Sequence, residues 1–273
     1  MRCPLMIESK TFCGFVAIVG RPNVGKSTLM NHLIGQKISI TSRKPQTTRH
    51  RVTGVYTKDD TQYLFVDTPG FQKQYLTKLN QALNQSVVNS LSNVDAIIYV
   101  VEAGIFNIGD EEVLNLLPTE ANVILVINKR DKYKDRNELN QFVKEVSEKY
   151  PFKKVLSVAA KHDHGMDELL AATKLYLPES VFLYPEEQLS DKSSRFMASE
   201  IIREKLFRSL GEELPYSLMV EIDKFEQTNK LSRVFATIIV DRENQKPMII
   251  GKGGEKLKKI SIESRLDMEK LFD

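Results

Sequence analysis

The chain has 273 residues, of which 41% are hydrophobic and 27% charged, and its formal net charge is +3. This composition is typical of a soluble globular protein of two domains and excludes fibrous and low-complexity classes. The small net charge identifies no class of partner. Cys3 and Cys13 form no paired motif, which favours free thiols in a reducing compartment. The sequence shows no signal-peptide pattern and no apolar run of membrane-spanning length, so we expect a cytoplasmic location.

The most informative segment lies near the N-terminus and has the pattern of a phosphate-binding loop, G-x-x-x-x-G-K-[ST]. Its residues are Gly20, Arg21, Pro22, Asn23, Val24, Gly25, Lys26 and Ser27. A strand-like apolar run precedes the loop and a helix-compatible run follows it. Backbone amides and a helix N-terminus can therefore face a polyphosphate. We expect Lys26 to reach the β- and γ-phosphates and the Ser27 hydroxyl to bind Mg²⁺.

Strand-like and helix-like segments alternate along the first two thirds of the chain. The apolar runs are 15–19, 63–66, 96–101, 123–127 and 155–158, and the mixed segments between them include 75–92, 110–117 and 137–149. Near-continuous apolar strands are typical of a mainly parallel sheet whose two faces are covered by helices. The predicted class is therefore α/β, with functional groups beyond the carboxyl ends of the strands.

A second motif, Asp67-Thr68-Pro69-Gly70, directly follows the apolar run 63–66. Enzymes with a phosphate-binding loop need a carboxylate at the end of a neighbouring strand to hold Mg²⁺, and Asp67 is in that position. Gly70 can donate its N–H to a γ-phosphate, so its peptide orientation would depend on that phosphate. We therefore include the whole motif and the next residue, Phe71, in the predicted nucleotide site.

A third motif, Asn128-Lys129-Arg130-Asp131, follows the apolar run 123–127. A carboxylate at Asp131 can accept hydrogen bonds from N1–H and the 2-amino group of guanine, whereas adenine offers no such donor pair. We expect Asn128 to tie this loop to the phosphate-binding loop and the stem of Lys129 to cover the base. The three motifs together predict GTP, or GDP, as the ligand.

These motifs closely resemble those of the Era family, within the translation-factor class (TrmE–Era–EngA-like) of GTPases. The segment 40–51 also resembles that family's first switch segment, which is ordered by its ligand. The resemblance implies that Thr48 reaches Mg²⁺ when the γ-phosphate is bound, with Thr47 as the alternative.

The family's base-side loop, Ser-Ala followed by a variable residue, corresponds here to Ala159, Ala160 and Lys161. The replacement of Ser by Ala159 removes a hydroxyl that could brace the loop. The expected hydrogen bond from the backbone N–H of Ala160 to the guanine carbonyl does not depend on that hydroxyl.

Catalysis is predicted to proceed without the glutamine that orients the attacking water in Ras-like enzymes, because Phe71 follows the D-x-x-G motif. The remaining stabilisation must come from charges near the β- and γ-phosphates. The amide oxygen of Asn23 could bind a monovalent cation there, or the side chain could brace the loop. Resemblance to GTPases that carry this Asn implies potassium. The predicted catalytic contributors are Lys26, Asn23, Thr48 and Gly70.

A domain boundary is predicted after the helix-like segment 166–177, where Pro178, Pro185 and acidic residues occur. We assign 1–180 to the GTPase domain, 181–193 to a linker and 194–273 to a second domain. That second part contains an apolar helical stripe in 195–210 and two alternating strands, 218–222 and 234–240. The strands are expected to form an antiparallel pair.

A G-x-x-G loop then leads into a basic helix, which is the arrangement of a KH domain that clamps single-stranded RNA. Glycines let a nucleic-acid backbone approach closely, and lysines near the helix N-terminus attract its phosphates. The predicted RNA-binding residues are Ile249, Ile250, Gly251, Lys252, Gly253, Gly254, Lys256, Lys258 and Lys259. By resemblance the second domain is an α+β type II KH domain, and it lacks that domain's usual C-terminal strand and helix.

Two functions from different classes follow from these observations. The first is a slow GTPase whose nucleotide state controls RNA binding, acting, as the resemblance implies, in maturation of the small ribosomal subunit through 16S rRNA. The second is an RNA-binding assembly factor in which GTP is mainly a structural ligand. An ATP-using kinase is opposed by Asp131. A monomer is expected, and weak peripheral membrane association is implied by resemblance alone.

Overall fold

The computed structural model describes residues 10–41, 51–68, 85, 87–88, 91–133, 135–210, 218–228 and 231–272. The helix predicted at 75–92 falls almost wholly outside these ranges.

A mixed sheet forms the centre of the first part of the chain. Its strands are β1 (Phe12–Val19), β2 (Val52–Lys58), β3 (Thr61–Asp67), β4 (Ala96–Glu102), β5 (Val123–Asn128) and β6 (Lys154–Ser157). Within the described residues their order is β2-β3-β1-β4-β5-β6. All neighbours run parallel except β2, which pairs antiparallel with β3. The chain order changes direction beside β1, which is where α/β sheets bind their ligands.

Helices cover both faces of this sheet. They are α1 (Lys26–Ile34), α2 (Ile108–Leu114), α3 (Arg136–Ser147) and α4 (Met166–Lys174). One apolar cluster joins α1 and α4 to one face, and a second joins α2 and α3 to the other. Side chains of successive strand residues therefore enter different cores, which explains why β4 and β5 are apolar at nearly every position. The predicted α/β class is confirmed.

The segment predicted as a linker is fixed along the outer edge of the sheet. Val55 donates its N–H to the Leu189 carbonyl at 2.9 Å, and Asp191 donates to the Thr53 carbonyl at 3.1 Å. The side chain of Gln62 bonds the Tyr184 carbonyl at 2.8 Å. The linker thus occupies the free edge of β2 and holds the second half of the chain close to the first.

The second half contains α5 (Ser194–Ser209), β7 (Leu218–Gln227), β8 (Ser232–Val240), α6 (Lys246–Ile250) and α7 (Glu255–Phe272). β7 and β8 pair antiparallel, as predicted, and form a two-stranded sheet among the described residues. Its apolar cluster is small and includes Leu206, Val220, Ile249 and Ile260. Most residues of β8 are exposed or half-buried.

Two elements were not predicted from the sequence. β2 pairs with β3 across the turn at Asp59 and Asp60, and its mixed sequence, interrupted by Gly54, forms no continuous apolar run. The short helix α6 begins with Pro at its first turn, a position where proline lacks a helical hydrogen-bond partner anyway.

Candidate functional site: a phosphate-binding loop and a base-recognition loop

The phosphate-binding loop connects β1 to α1, as predicted. Gly20 has φ of 153° and Gly25 has φ of 105°, and a Cβ on Gly25 would lie 2.4 Å from the Asn128 side-chain nitrogen. Only glycine fits this close approach of the two loops. No side chain of the described residues caps α1, so the N-terminus of this helix can face an anion.

Lys26 is buried within the loop that it closes. Its ammonium donates to the carbonyl oxygens of Gly20 at 2.9 Å and Arg21 at 3.0 Å. Burial lowers the pKa of Lys26 to about 8, although the nearby Asp67 carboxylate acts in the opposite direction. The loop therefore buries an amino group, and a bound polyphosphate would favour its protonated form.

The carboxylate of Asp67, fully buried at the end of β3, joins two hydroxyl groups. Oδ2 accepts hydrogen bonds from Ser27 Oγ at 2.9 Å and from Ser39 Oγ. A carboxylate beside a serine hydroxyl is an oxygen-rich donor set that suits Mg²⁺. The predicted Mg²⁺ ligands Ser27 and Asp67 are thus adjacent. The next residue, Thr68, has a buried side chain that donates to the Ile18 carbonyl at 2.8 Å.

Several predicted site residues lie outside the described part of the chain. They are Thr47, Thr48, Pro69, Gly70 and Phe71. Binding of Mg²⁺ by Thr48 or Thr47 and contact of Gly70 with the γ-phosphate stay predictions. Catalysis without a glutamine at the position of Phe71 also stays a prediction.

The base-recognition loop is joined to the phosphate-binding loop by side-chain hydrogen bonds. Asn128 Nδ2 donates to the Val24 carbonyl at 2.9 Å, which is the link that the sequence predicted. Lys129 donates to the Asn23 carbonyl at 2.7 Å. Arg130 points away and contacts the Ser157 carbonyl at 3.2 Å, so it fixes the loop to β6.

Asp131 and residues 159–161 form the rest of the predicted guanine-binding part of the site. The Asp131 side chain is 33% exposed and lies 3.6 Å from His162 Nε2, a neighbour that the sequence did not identify. The N–H of Ala160 donates to Asn128 Oδ1 at 3.1 Å, so Asn128 braces the loop that lacks the family's serine hydroxyl. The hydrogen bond from Ala160 to a guanine carbonyl stays a prediction. Lys161 is exposed.

The segment after α1 connects the nucleotide site to the second half of the chain. Asn31 Oδ1 accepts the backbone N–H of Ser39 at 2.9 Å, which fixes the segment beside Asp67. Lys37 forms ion pairs with Glu204 of α5 at 2.9 Å and Asp267 of α7 at 2.7 Å. Sequence analysis missed this interface because its members are more than 160 residues apart.

Arg208 and Lys205 extend the same interface. Arg208 donates to the Thr41 carbonyl at 3.1 Å and pairs with Glu204, which is fully buried. Lys205 pairs with Asp267. Burial alone would raise the pKa of Asp267, but Lys205 and Lys37 lower it below its ordinary value. The interface is therefore held by charged groups on α5, α7 and the segment that enters the predicted first switch.

The predicted RNA-binding loop joins α6 to α7. Gly251, Gly253 and Gly254 all have positive φ values, and a Cβ on Gly253 would meet no atom within 4 Å. Lys252, Lys258 and Lys259 are exposed beside it, whereas the Lys256 ammonium donates to the Met248 carbonyl at 3.0 Å. The loop thus offers open backbone and exposed lysines, the features that contact phosphates.

The two predicted apolar members of this surface differ. Ile250 is 43% exposed, but Ile249 is 4% exposed and packs in the core of the second half. Both residues nevertheless line the same cavity, together with residues of β8 and α7, so the expectation that they line a base groove stays a prediction.

No helix among the described residues is long and apolar enough to span a membrane.

Two family models match the chain. One, described as a 50S ribosome-binding GTPase, matches residues 15–129. The other, a KH domain, matches residues 213–273.

Relatives match over nearly the whole sequence. The chain is 58% identical to GTPase Era of Chromobacterium violaceum, covering 98% of this chain and 90% of the relative. It is 49% identical to GTPase Era of Nitrosomonas eutropha, covering 95% of this chain and 88% of that protein.

Solved structures agree with the sequence matches. An Aquifex aeolicus Era variant bound to GDP and aluminium fluoride has a TM-score of 0.90 and 37% identity, covering 96% of this chain and 90% of its own. A complex of Era with MgGDPNP and nucleotides 1506–1542 of 16S ribosomal RNA has a TM-score of 0.89 and 37% identity, covering 96% and 89%. A nucleotide site with all three motifs, a second half that matches a KH domain and these relatives lead to one conclusion: the chain belongs to the Era family of GTPases.

Proposed function

We propose that this GTPase binds the 3′ region of 16S rRNA through its KH loop during small-subunit maturation, and that nucleotide state controls the affinity. The segment 37–41 is the observation that carries the proposal. Ser39 bonds the predicted Mg²⁺ ligand Asp67, while Lys37 and Thr41 on either side contact α5 and α7. A change at the γ-phosphate that moves this segment would alter contacts with the RNA-binding half.

RNA affinity should differ between nucleotide states. We expect at least about a fivefold difference in Kd between protein loaded with GDP and with a non-hydrolysable GTP analogue, the lower end of usual coupling between sites. The probe is a labelled RNA of the 16S 3′ region, measured by fluorescence anisotropy. Lys37→Met, which removes both ion pairs, should bring the two affinities together.

The matched control for this experiment is Lys58→Met. Lys58 also pairs with an aspartate, Asp167 at 2.9 Å, but both groups are exposed, and this pair joins β2 to α4 within the first half of the chain. This variant should keep the wild-type ratio of affinities. Equal affinities in both nucleotide states of the wild type would instead favour the second function, an RNA-binding factor in which GTP is structural.

Nucleotide affinity should decrease above the pKa of Lys26, which is about 8. Phosphate oxygens favour the charged ammonium, so above that pH binding must take up a proton. We expect Kd for GDP to rise by about fivefold between pH 8 and pH 9, with proton uptake approaching one at pH 9 in calorimetry across buffers of different ionisation enthalpy. Lys26→Arg, which stays charged, should give a flat profile at lower affinity. A flat wild-type profile would contradict the role assigned to burial.

GTP hydrolysis should be faster in potassium than in sodium at equal ionic strength. The Asn23 side chain is exposed and forms no hydrogen bond within the described part of the chain, which favours cation binding over loop bracing. A cation held at this position would stabilise charge between the β- and γ-phosphates, so we expect a difference on the order of tenfold in kcat.

Variants at Asn23 test the potassium site directly. Asn23 has φ of 66°, so Asn23→Gly removes the amide without straining the loop and should abolish the potassium effect while nucleotide binding persists. Asn23→Asp keeps an oxygen ligand and should retain the effect. Identical wild-type rates in the two salts would refute potassium activation.

Other parts of the assignment stay proposals. We place the GTPase domain at 1–180, the linker at 181–193 and the KH domain at 194–273. A monomer, a cytoplasmic location, weak membrane contact and hydrolysis without a catalytic glutamine also remain predictions.

A further inference from the structure

The base-recognition lysine is held in an unusual backbone conformation. Lys129 has φ of 63° and ψ of 31°, the left-handed region that costs a non-glycine residue roughly 1–2 kcal/mol. Such a conformation persists only where surrounding contacts fix it. The Lys129 ammonium has two such contacts, the Asn23 carbonyl at 2.7 Å and Glu102 Oε2 at 2.7 Å.

Glu102, the last residue of β4, is the centre of a charged network between the two loops. Its side chain is 13% exposed and also pairs with Lys132 at 3.2 Å and with Arg21 at 3.6 Å. Glu102 lies opposite Asn128 in the sheet register, and the next N–H, of Ala103, donates to the Asn128 carbonyl at 2.8 Å. The carboxylate is therefore positioned by regular sheet structure rather than by a loop.

A second carboxylate fixes the other end of the network. Arg21, in the phosphate-binding loop, donates through Nε to Asp110 Oδ2 at 2.9 Å. Asp110 is fully buried in the first turn of α2 and also accepts the N–H of Asn107 at 3.0 Å. Of the three cations around Glu102, Arg21 is anchored independently by Asp110, whereas the ion pair that Lys129 forms among the described residues is with Glu102 itself.

We propose that Glu102 is a positioning residue for nucleotide binding, because it holds the Lys129 stem over the base and the ammonium against the phosphate-binding loop. The proposal rests on the proposed function, in which Asn128 to Asp131 form the guanine site. Glu102 lies outside the three sequence motifs, and its role is visible only from the contacts in the folded chain.

The first test is the isosteric variant Glu102→Gln, which removes the charge and keeps the shape. We expect the dissociation rate and Kd of fluorescently labelled GDP to rise by about tenfold, because the half-buried Lys129 ammonium loses its carboxylate. Single-turnover hydrolysis at saturating GTP should change by less than about threefold, since Glu102 touches no reacting atom. Glu102→Asp keeps the charge and should restore most of the affinity.

A double-mutant cycle separates positioning from a general structural role. Glu102→Gln and Lys129→Met should be strongly non-additive, because both disrupt the same contact. Lys132→Met is the matched control: Lys132 pairs with the same carboxylate, but its side chain is 63% exposed, and it should leave GDP dissociation within about twofold of wild type. Additive effects of Glu102 and Lys129, or an unchanged Glu102→Gln, would overturn the proposal.

The choice of nucleotide distinguishes this proposal from the proposed function. A lysine stem covers the base without reading its edge, so Glu102→Gln should weaken GDP and IDP by the same factor. A loss confined to GDP would mean that the variant displaces Asp131 and would also overturn the positioning role. If the wild type binds GDP and ADP equally, the guanine-site assignment itself fails, whatever the variants do.

Discussion

Replacing Asp131 with Asn is expected to reduce GTP affinity by about 10²-fold or more and to improve binding of xanthosine triphosphate. The carboxylate accepts from two guanine donors, whereas an amide would leave one of them opposite its own NH₂ group. The same amide can donate to the additional carbonyl of xanthine. Competition of both nucleotides against labelled GDP measures the change.

Asp163→Asn is the matched control for the base-specificity experiment. Asp163 is an exposed aspartate near the same loop, and its φ of 53° is one that Asn also adopts, so the change should leave GTP affinity near wild type. His162 Nε2, 3.6 Å from Asp131 Oδ2, is present in both variants. Equal competition by ATP and GTP for the wild-type protein would refute base recognition by Asp131.

Reversing charge in the KH loop, with Lys252→Asp and Gly253→Asp together, should weaken RNA binding by about 10²-fold. Asp tolerates the φ of 60° at Gly253, and its Cβ would meet open space, so the protein should still fold. The loss would come from repulsion of phosphates and from a side chain where RNA backbone must approach. The dependence of affinity on salt, measured by anisotropy, should also become shallower.

Lys224→Asp provides the control for the KH-loop experiment. This lysine lies on β7, is 62% exposed and pairs with Glu226, so its reversal changes net charge without altering the loop. GTP hydrolysis measured without RNA should be the same in both variants, because neither change lies in the nucleotide site. RNA affinity that is unaffected by the loop variant, or equally reduced by the control, would place the binding surface elsewhere.

The nucleotide site was largely predictable because its groups occur in short motifs, each after a buried strand. Parallel strands place their carboxyl ends at one edge, so Ser27, Asp67 and Asn128 had to converge. The link from Asn128 to the phosphate-binding loop was confirmed in this way. The hydrogen bond from the Ala160 N–H to the Asn128 side chain was not predicted, because the acceptor lies on another strand.

The missed features depend on pairs that are far apart in the sequence. No local pattern connects Glu102 with Lys129, or Lys37 with Glu204. Lysine and glutamate also occur on exposed surfaces that form no such contacts, so the residue types alone do not predict these ion pairs. The burial of Ile249 was not predictable for a related reason: next to Ile250 in the sequence, it carries no local sign that its side chain packs in the core. Spatial neighbours across elements, rather than spacing along the chain, decided each of these cases.

The boundary between the halves is apolar as well as charged, and this has a consequence for heat denaturation. Met197 of α5 is buried in the core cluster that contains α1, and Leu271 and Phe272 of α7 pack against the same cluster. The KH half therefore completes part of the GTPase core, and neither half can melt without exposing apolar surface of the other. A nucleotide present at a hundred times its Kd stabilises the folded state by about 2.7 kcal/mol. Because α5 and α7 pack both against the GTPase core and in the small core of the KH half, that stabilisation extends to the KH sheet, beyond the nucleotide site.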